Sequence, residues 1–206
     1  METILSISKL NKRYGRIHAV NNVSFEIQKG NVYGILGPNG SGKSTTLGIV
    51  LNVVNKTSGD FSWFSGKVET YEALKKVGAI IERPNFYPYM TAKENLELVC
   101  KIKDISYSKV IEKLELVGLI DRKDSKFSTF SLGMKQRLAI ASALLNDPEI
   151  LILDEPTSVL TPQAVENLFV TLRQLAARGC SILYISHKLH EIRALCTACT
   201  VLRGGK

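Results

Sequence analysis

Nine consecutive residues, Gly37-Pro38-Asn39-Gly40-Ser41-Gly42-Lys43-Ser44-Thr45, carry the residue types that polyphosphate binding needs. Glycines at 37, 40 and 42 let the backbone approach a ligand closely. Bare amides then turn inward at a helix N-terminus, where they and the positive end of the helix dipole attract anions. Lys43 can reach the outer phosphates, and the Ser44 hydroxyl is the expected ligand of a magnesium ion bridging two of them. Average composition brings the four fixed residue types together by chance in about one chain of this size in a hundred. The apolar run Val32 to Leu36 enters the loop as a strand, and Leu47, Val50, Leu51 and Val54 leave it with helical spacing.

Three further candidates lie where apolar runs end. Ile150 to Leu153 is followed by Asp154-Glu155, Ser181 to Ile185 by Ser186-His187, and Val77 to Ile81 by Glu82. Cleavage of a phosphate ester by water needs a metal across the phosphates, a carboxylate to orient or deprotonate the water, and positive groups at the developing charge. Asp154 suits the metal, directly or through water, and Glu155, one residue further, suits the attacking water. A lone histidine more often caps or sits on a surface, but at a strand end His187 can contact the outer phosphate. Tyr14, upstream of the loop, is either an ordinary turn aromatic or a flat ring on which a base stacks.

The elements that must position these residues alternate. Strands are expected over Ile4 to Leu10, Val23 to Ile27, Phe61 to Phe64, Val77 to Ile81, Ile150 to Leu153, Ser181 to Ile185 and Thr200 to Leu202, with Asn11 to Gly15 as a polar turn. Thr91-Ala92-Lys93-Glu94 is a capping box that starts a helix with Leu96, Val99 and Cys100 on one face. A second helix buries Val110, Leu114 and Val117 and ends near Gly118, and from Pro88 to Asn146 nothing reads as a strand. Thr161 and Pro162 open another helix with Val165, Leu168, Phe169, Leu172, Leu175 and Ala176 on one stripe, closed by Gly179. Such alternation predicts an α/β fold with a mostly parallel sheet flanked by helices and ligands at the strands' carboxyl ends.

With 206 residues, 45% of them hydrophobic, the chain has material for one substantial core but not for two full-size domains. No run approaches the roughly 18 apolar residues of a membrane span, and Met1-Glu2-Thr3-Ile4 lacks the order of a signal peptide, so a cytoplasmic location is expected. The net charge of +8 is scattered, with no basic stripe interleaved by aromatics, and nucleic acid is not an expected partner. Cys100, Cys180, Cys196 and Cys199 read as free thiols, because no second pair or placed histidine completes a metal set around Cys196 and Cys199.

Together these residues resemble the ATP-binding cassette family, specifically the ATPase subunits of membrane transporters, over essentially the whole chain. The discriminating element is Phe130-Ser131-Leu132-Gly133-Met134-Lys135-Gln136-Arg137-Leu138, which looks like the family's signature sequence at a helix start. The usual form has a second glycine followed by glutamine, so Met134 and Lys135 are departures. The resemblance implies a P-loop NTPase fold with an N-terminal antiparallel β part and an inserted helical subdomain. It divides one domain, 1–206, into an ATP-binding core (1–87 and 147–206) and a helical subdomain (88–146) carrying the signature. It implies Mg2+ and ATP as ligands. ATP contacts would come from Tyr14, Gly37, Asn39, Gly40, Ser41, Gly42, Lys43, Ser44 and Thr45, and metal contacts from Ser44, Glu82 and Asp154. Lys43, Glu155 and His187 would act in catalysis. Ser131 and Gly133 would meet the outer phosphate of ATP held by a second subunit, giving a head-to-tail homodimer or heterodimer on ATP binding. Transmembrane permease subunits would be further partners, with the chain peripheral to the inner face of the membrane.

Other departures concern Glu82, where the family usually has glutamine, and Thr161, where it usually has aspartate. Ile81 to Pro88 closely resembles exporters of the bacitracin and lantibiotic type, whereas Ser158 to Gln163 and Tyr184 to Ile192 look like importers of simple sugars or nucleosides. The mismatch raises the expectation of a composite joined near Leu153 to Thr157, an ATPase that folds and binds ATP but has weak isolated activity and no transport partner. Rival classes lack their marks: Asn55-Lys56-Thr57-Ser58 has no aspartate for guanine, no heptad run predicts a long coiled coil, and one cassette stands where ribosome-associated relatives usually have two.

Overall fold

A computed structural model describes residues 2–81 and 85–206 of the chain. A five-stranded parallel sheet has the order β5 (Val77–Ile80), β6 (Ile150–Asp154), β7 (Ser181–Ser186), β3 (Val32–Leu36), β8 (Ala198–Val201). A three-stranded antiparallel sheet has the order β2 (Ile17–Gln28), β1 (Thr3–Tyr14), β4 (Ser58–Trp63). The helices are α1 (Lys43–Val50), α2 (Thr70–Leu74), α3 (Ala92–Lys103), α4 (Ser108–Leu116), α5 (Leu132–Ala143), α6 (Pro162–Ala177) and α7 (Leu189–Leu195).

The parallel sheet separates two cores, and the period of two along each strand assigns the side chains. Leu151, Leu153, Ile182, Tyr184, Val32 and Ile80 join the core shared with α3 to α7. Their neighbours Ile150, Ile152, Leu183, Ile185, Tyr33, Ile35 and Val77 join the core shared with the antiparallel sheet and α1. A strand covered on both faces has no use for polar residues, which is why β6 runs Ile-Leu-Ile-Leu and is fully buried until Asp154.

Several boundaries differ from expectation for physical reasons. β1 continues through Asn11 to Tyr14, because register shifts against β2 let polar residues extend an antiparallel ladder, and only Gly15 and Arg16 turn. α1 stops at Val50: Asn52 takes φ 59°, and the Val53 and Val54 amides fold back onto Gly48 O at 2.8 and 2.9 Å, so Val54 packs beyond the helix. β4 lies at Ser58–Trp63, paired with β1, and Phe64 leaves it at φ 50°, while β8 starts earlier, at Ala198. α2 had no periodic signal in its five residues. β5 ends at Ile80, and Glu82, Arg83 and Pro84 lie outside the described residues.

Between Pro88 and Asn146 the described residues form α3, α4, two single 3-10 turns and α5, with the bridge Thr91 to Lys126 as the strand-type pairing there. The Thr91–Glu94 capping box forms in both directions, at 3.1 and 2.7 Å, and Gly118 follows α4 at φ 65°. Because Leu151 is fully buried between β6 and the helical layer, Leu151→Ala should cost about 2–5 kcal/mol by lost burial and residual cavity. Urea denaturation should give a lower midpoint with an unchanged slope; a midpoint equal to that of the wild type would contradict this packing.

Candidate functional site

β3 delivers the glycine-rich loop to the N-terminus of α1, with Gly40 at φ 78° and Gly42, the N-cap, at φ 98°. A Cβ on Gly42 would stand 2.4 Å from Ala19 O, so this position tolerates neither the conformation nor the bulk of another residue. Lys43 is almost wholly buried, and its ammonium donates to Gly37 O at 2.7 Å and Pro38 O at 3.1 Å. Ser41 Oγ is buried in the same loop without a hydrogen-bond partner. A loop with an unpartnered hydroxyl and an embedded cation at a helix N-terminus suits anionic oxygen atoms.

The other residues arrive by strand register. Asp154 pairs with Ile185 and Leu36 with Ser186, so the carboxyl ends of β6, β7 and β3 lie side by side. Ser44 Oγ donates to Asp154 Oδ2 at 3.1 Å. Glu155 N bonds Ile185 O, and the Glu155 carboxylate lies 2.9 Å from His187 Nδ1 and 3.8 Å from Lys43 Nζ. His187 and Glu155 are 32 residues apart, yet neighbouring strands bring them into contact. Glu155 sits at φ 47°, a region that costs an ordinary residue about 1–3 kcal/mol and persists only where the surroundings impose it.

A cleft of about 1530 Å³ opens over this edge. One wall is the hairpin between β1 and β2, including Tyr14, His18 and Ala19; the floor is the glycine-rich loop with Asp154 and Glu155; the far wall includes Phe127, Leu132, Lys135 and Gln136. Asn39, Gly40, Gly42, Lys43, Ser44 and Thr45 line it, whereas Gly37 and Ser41 do not. Tyr14 is half exposed at the rim with Lys12 Nζ 4.7 Å over its ring, a flat face available to a base. The volume exceeds the roughly 300–1,000 Å³ of small-molecule pockets, and the cleft is open to solvent on one side.

Ser131 and Gly133 are not brought to this cleft. Ser131 is the exposed N-cap of α5, accepting from Met134 N at 3.3 Å, and both residues line a separate cavity of about 120 Å³ with Leu160 and Ala164 of the α6 region. Of the three metal candidates, Ser44 and Asp154 meet and Glu82 lies outside the described residues. Among the described residues no group of three His, Cys, Asp or Glu could hold a metal alone. Two hard oxygen donors fit Mg2+, which is commonly held by one or two protein ligands together with substrate phosphates. Burial pushes the Cys180 thiol up to about 11 and the Cys196 thiol up to about 12, far from a reactive thiolate.

Sequence reasoning missed His18 and Glu191. His18 lines the cleft, bonds Asn11 Oδ1 at 3.1 Å, and is held below its ordinary pKa by desolvation and by the positive charges of Arg13 and Lys206. Its signal was its place four residues after Tyr14, across a two-residue turn. Glu191 is a buried carboxylate on α7 and had no signal in a short polar run.

The sequence profile of a family described as ABC transporter matches residues 20–158. The lantibiotic transport ATP-binding protein SrtF of Streptococcus pyogenes is 42% identical over 194 residues, 93% of this chain and 83% of that protein. The bacitracin transport ATP-binding protein BcrA of Bacillus licheniformis is 40% identical over 210 residues, 100% of this chain and 69% of that protein. Among solved structures, the dimeric post-hydrolysis state of the ATP-binding cassette MJ0796 bound to ADP and Pi is similar at TM-score 0.83 and 28% identity, covering 98% of this chain and 95% of that one. A nucleotide-free ATP-binding cassette from an ABC transporter is similar at TM-score 0.88 and 26% identity, covering 100% and 89%.

Lys43→Ala deletes the charge held in the loop mouth. The variant should fold, and its affinity for Mg-ATP, measured by titration with a fluorescent analogue, should fall at least ~10-fold, the value of one charged hydrogen bond. Undiminished binding in the folded variant would refute the role given to the loop.

Proposed function

The chain belongs to the ABC transporter family, and we propose that it is the ATP-binding subunit of an exporter whose two ATP sites form between two such subunits. Transporter ATP-binding subunits of this family hydrolyse ATP, and this chain is such an ATPase. The observation that carries the assignment of roles is the convergence of Lys43, Ser44, Asp154, Glu155 and His187 on one sheet edge.

In this reading Tyr14 stacks on the base, and the amides of Asn39 to Thr45 enclose the phosphates. Lys43 exchanges its loop carbonyls for the outer phosphate oxygens. Ser44 and Asp154 hold Mg2+, which when bound neutralises phosphate charge. Glu155 orients and deprotonates the attacking water, and His187, bonded to Glu155, contacts the outer phosphate. The separation of Ser131 and Gly133 from their own chain's cleft supports their action on the ATP of a partner, since the helix start is exposed and free to meet one. Residues 88–146 are then the helical subdomain that presents this surface, and the cleft's surplus volume accommodates it.

Among the described residues no helix is long and apolar enough to cross a membrane. Separate permease subunits at the cytoplasmic face of the membrane complete the transporter in this proposal. A relative named for bacitracin transport spans the whole chain at 40% identity, and one named for lantibiotic transport spans 93%. This supports a single exporter-type lineage and does not favour the composite. An amphiphilic peptide antibiotic is the cargo class those names suggest.

Glu155→Gln should retain ATP binding and lose at least ~100-fold in hydrolysis, the lower range for a positioned general base. On size exclusion it should shift from monomer to dimer only with Mg-ATP, because the closed pair no longer discharges. Near-normal turnover would move the base elsewhere. Ser131→Arg should leave ATP binding by the monomer intact and abolish hydrolysis, since bulk at the α5 cap obstructs a partner's phosphate. A specific ATPase rate independent of dilution would overturn the two-subunit site.

A further inference from the structure

Glu191 lies on α7 with 1% of its surface exposed, and the chemistry proposed above does not use it. A buried carboxylate costs several kcal/mol unless its oxygens are fully hydrogen-bonded, and an apolar side chain would fill the same volume at no such cost. Here both oxygens are engaged. The Thr157 hydroxyl donates across them at 2.7 and 2.8 Å, Tyr184 Oη donates to Oε2 at 2.7 Å, Ser186 Oγ donates to Oε2 at 3.0 Å, and Lys188 Nζ lies 3.1 Å from Oε1. Burial alone would push this carboxyl up, but donation from Thr157, Tyr184, Lys188 and Ser186 holds it below the ordinary glutamate value, so it is ionised at neutral pH.

The donors come from two segments. Thr157 is two residues beyond Glu155, while Ser186 and Lys188 flank His187 on either side. The cross-ties continue around the carboxylate: Lys188 Nζ also donates to Thr157 O at 3.3 Å, and Lys188 N donates to Ser186 Oγ at 3.1 Å. One fixed negative charge therefore joins the two loops whose tips carry Glu155 and His187. Glu155 depends on such holds, because its φ of 47° must be imposed by its surroundings; its amide is tied to Ile185 O at 3.0 Å, and the local turn adds the 3.2 Å bond from Ser158 N to Glu155 O.

We propose that Glu191 is a positioning residue for ATP hydrolysis: through Thr157 on one side and Ser186 and Lys188 on the other, it fixes Glu155 and His187 in the mutual geometry with which they meet the water and the outer phosphate. It touches neither the nucleotide cleft nor the reacting atoms. The proposal rests on the reading of Glu155 as the base. Misplacement of a reacting group by about 1 Å costs on the order of 100-fold in rate, so loosening this tie should act on turnover and spare ATP binding, which the glycine-rich loop provides.

The test is a double-mutant cycle. Glu191→Gln removes the charge and aims an amide at groups that already donate; Thr157→Val removes one donor and keeps the carboxylate, and serves where Glu191→Gln does not fold. Each is made in the wild-type and Glu155→Gln backgrounds. Single-turnover hydrolysis of radiolabelled ATP, affinity for a fluorescent ATP analogue and melting temperature are measured for all. In the wild-type background, hydrolysis should fall ~10-fold or more, with ATP affinity within ~3-fold. In the Glu155→Gln background the same substitutions should cause a much smaller fractional loss, because the base is gone and only His187 is left to position. Equal fractional losses in both backgrounds, a fall in affinity matching the fall in rate, or an unchanged rate would each overturn the proposal. If Glu155→Gln alone hydrolyses ATP at the wild-type rate, the reading of the base fails and this proposal falls with it. If Glu155→Gln is slow and Glu191→Gln is not, only the role of Glu191 is refuted.

Discussion

Everything at this site depends on the parallel pairing of β6 with β7 and β7 with β3. Pairing Asp154 with Ile185 and Leu36 with Ser186 sets three strand ends level, and each end then releases its chain into a different functional segment. A slip of one residue would turn Leu151 and Leu153 out of one core and into the other, exchanging the two sets of apolar side chains on every strand it reached. The register is therefore enforced by the full burial of β6 and β7, and it brings Glu155 and His187 within reach of one another. Hydrophobic burial sets the positions, and the polar groups at the edge act on what it delivers.

The sheet was legible because fully buried strands leave an unmistakable record: Ile150 to Leu153 and Ser181 to Ile185 are apolar runs ended by polar residues, and those polar residues are the site. The glycine-rich loop was legible for the opposite reason, since Gly42 has both a left-handed φ and a carbonyl where a Cβ would stand. The antiparallel sheet was less so. Asn11 to Tyr14 is a polar segment with one aromatic and reads as a turn, but an antiparallel ladder exposed to water on one face can carry such residues. Glu191 was illegible altogether. Its partners lie on three elements, and no local pattern distinguishes a solvated glutamate of a short helix from one enclosed by Thr157, Tyr184, Ser186 and Lys188.

Burial also separates groups that resemble one another in sequence. The buried carboxylate of Glu191 stays charged because donors surround it, whereas Cys180 and Cys196 are buried with too few donors and keep their protons. A glutamate with no motif around it becomes the charge that ties the segment after β6 to the end of β7. Exposure works in the same way on Ser131. Its hydroxyl is already committed to the α5 amide of Met134, so what it offers a partner is a fixed helix start rather than a mobile side chain.

The departures at Thr161, Met134 and Lys135 have local physical explanations that need no join between two lineages. Thr161 stands where aspartate is usual, and it caps α6 by accepting from Ala164 N at 3.4 Å, with Pro162 in the first turn. Threonine and aspartate both serve at an N-cap, differing by a fraction of a kcal/mol, so the exchange leaves the helix start intact. Met134 packs its side chain against the helical core, while its amide still closes the Ser131 cap. Lys135 extends over the Phe127 ring at 5.2 Å and lines the cleft, adding a positive charge to its wall. A segment imported from another branch would be expected to leave clashes or unpaired groups where it meets the older part. At the segment after Glu155 the reverse is found, because Thr157 is held by Glu191, the Ser158 and Leu160 amides close turns onto Glu155 and Thr157, and Leu160 packs on the core.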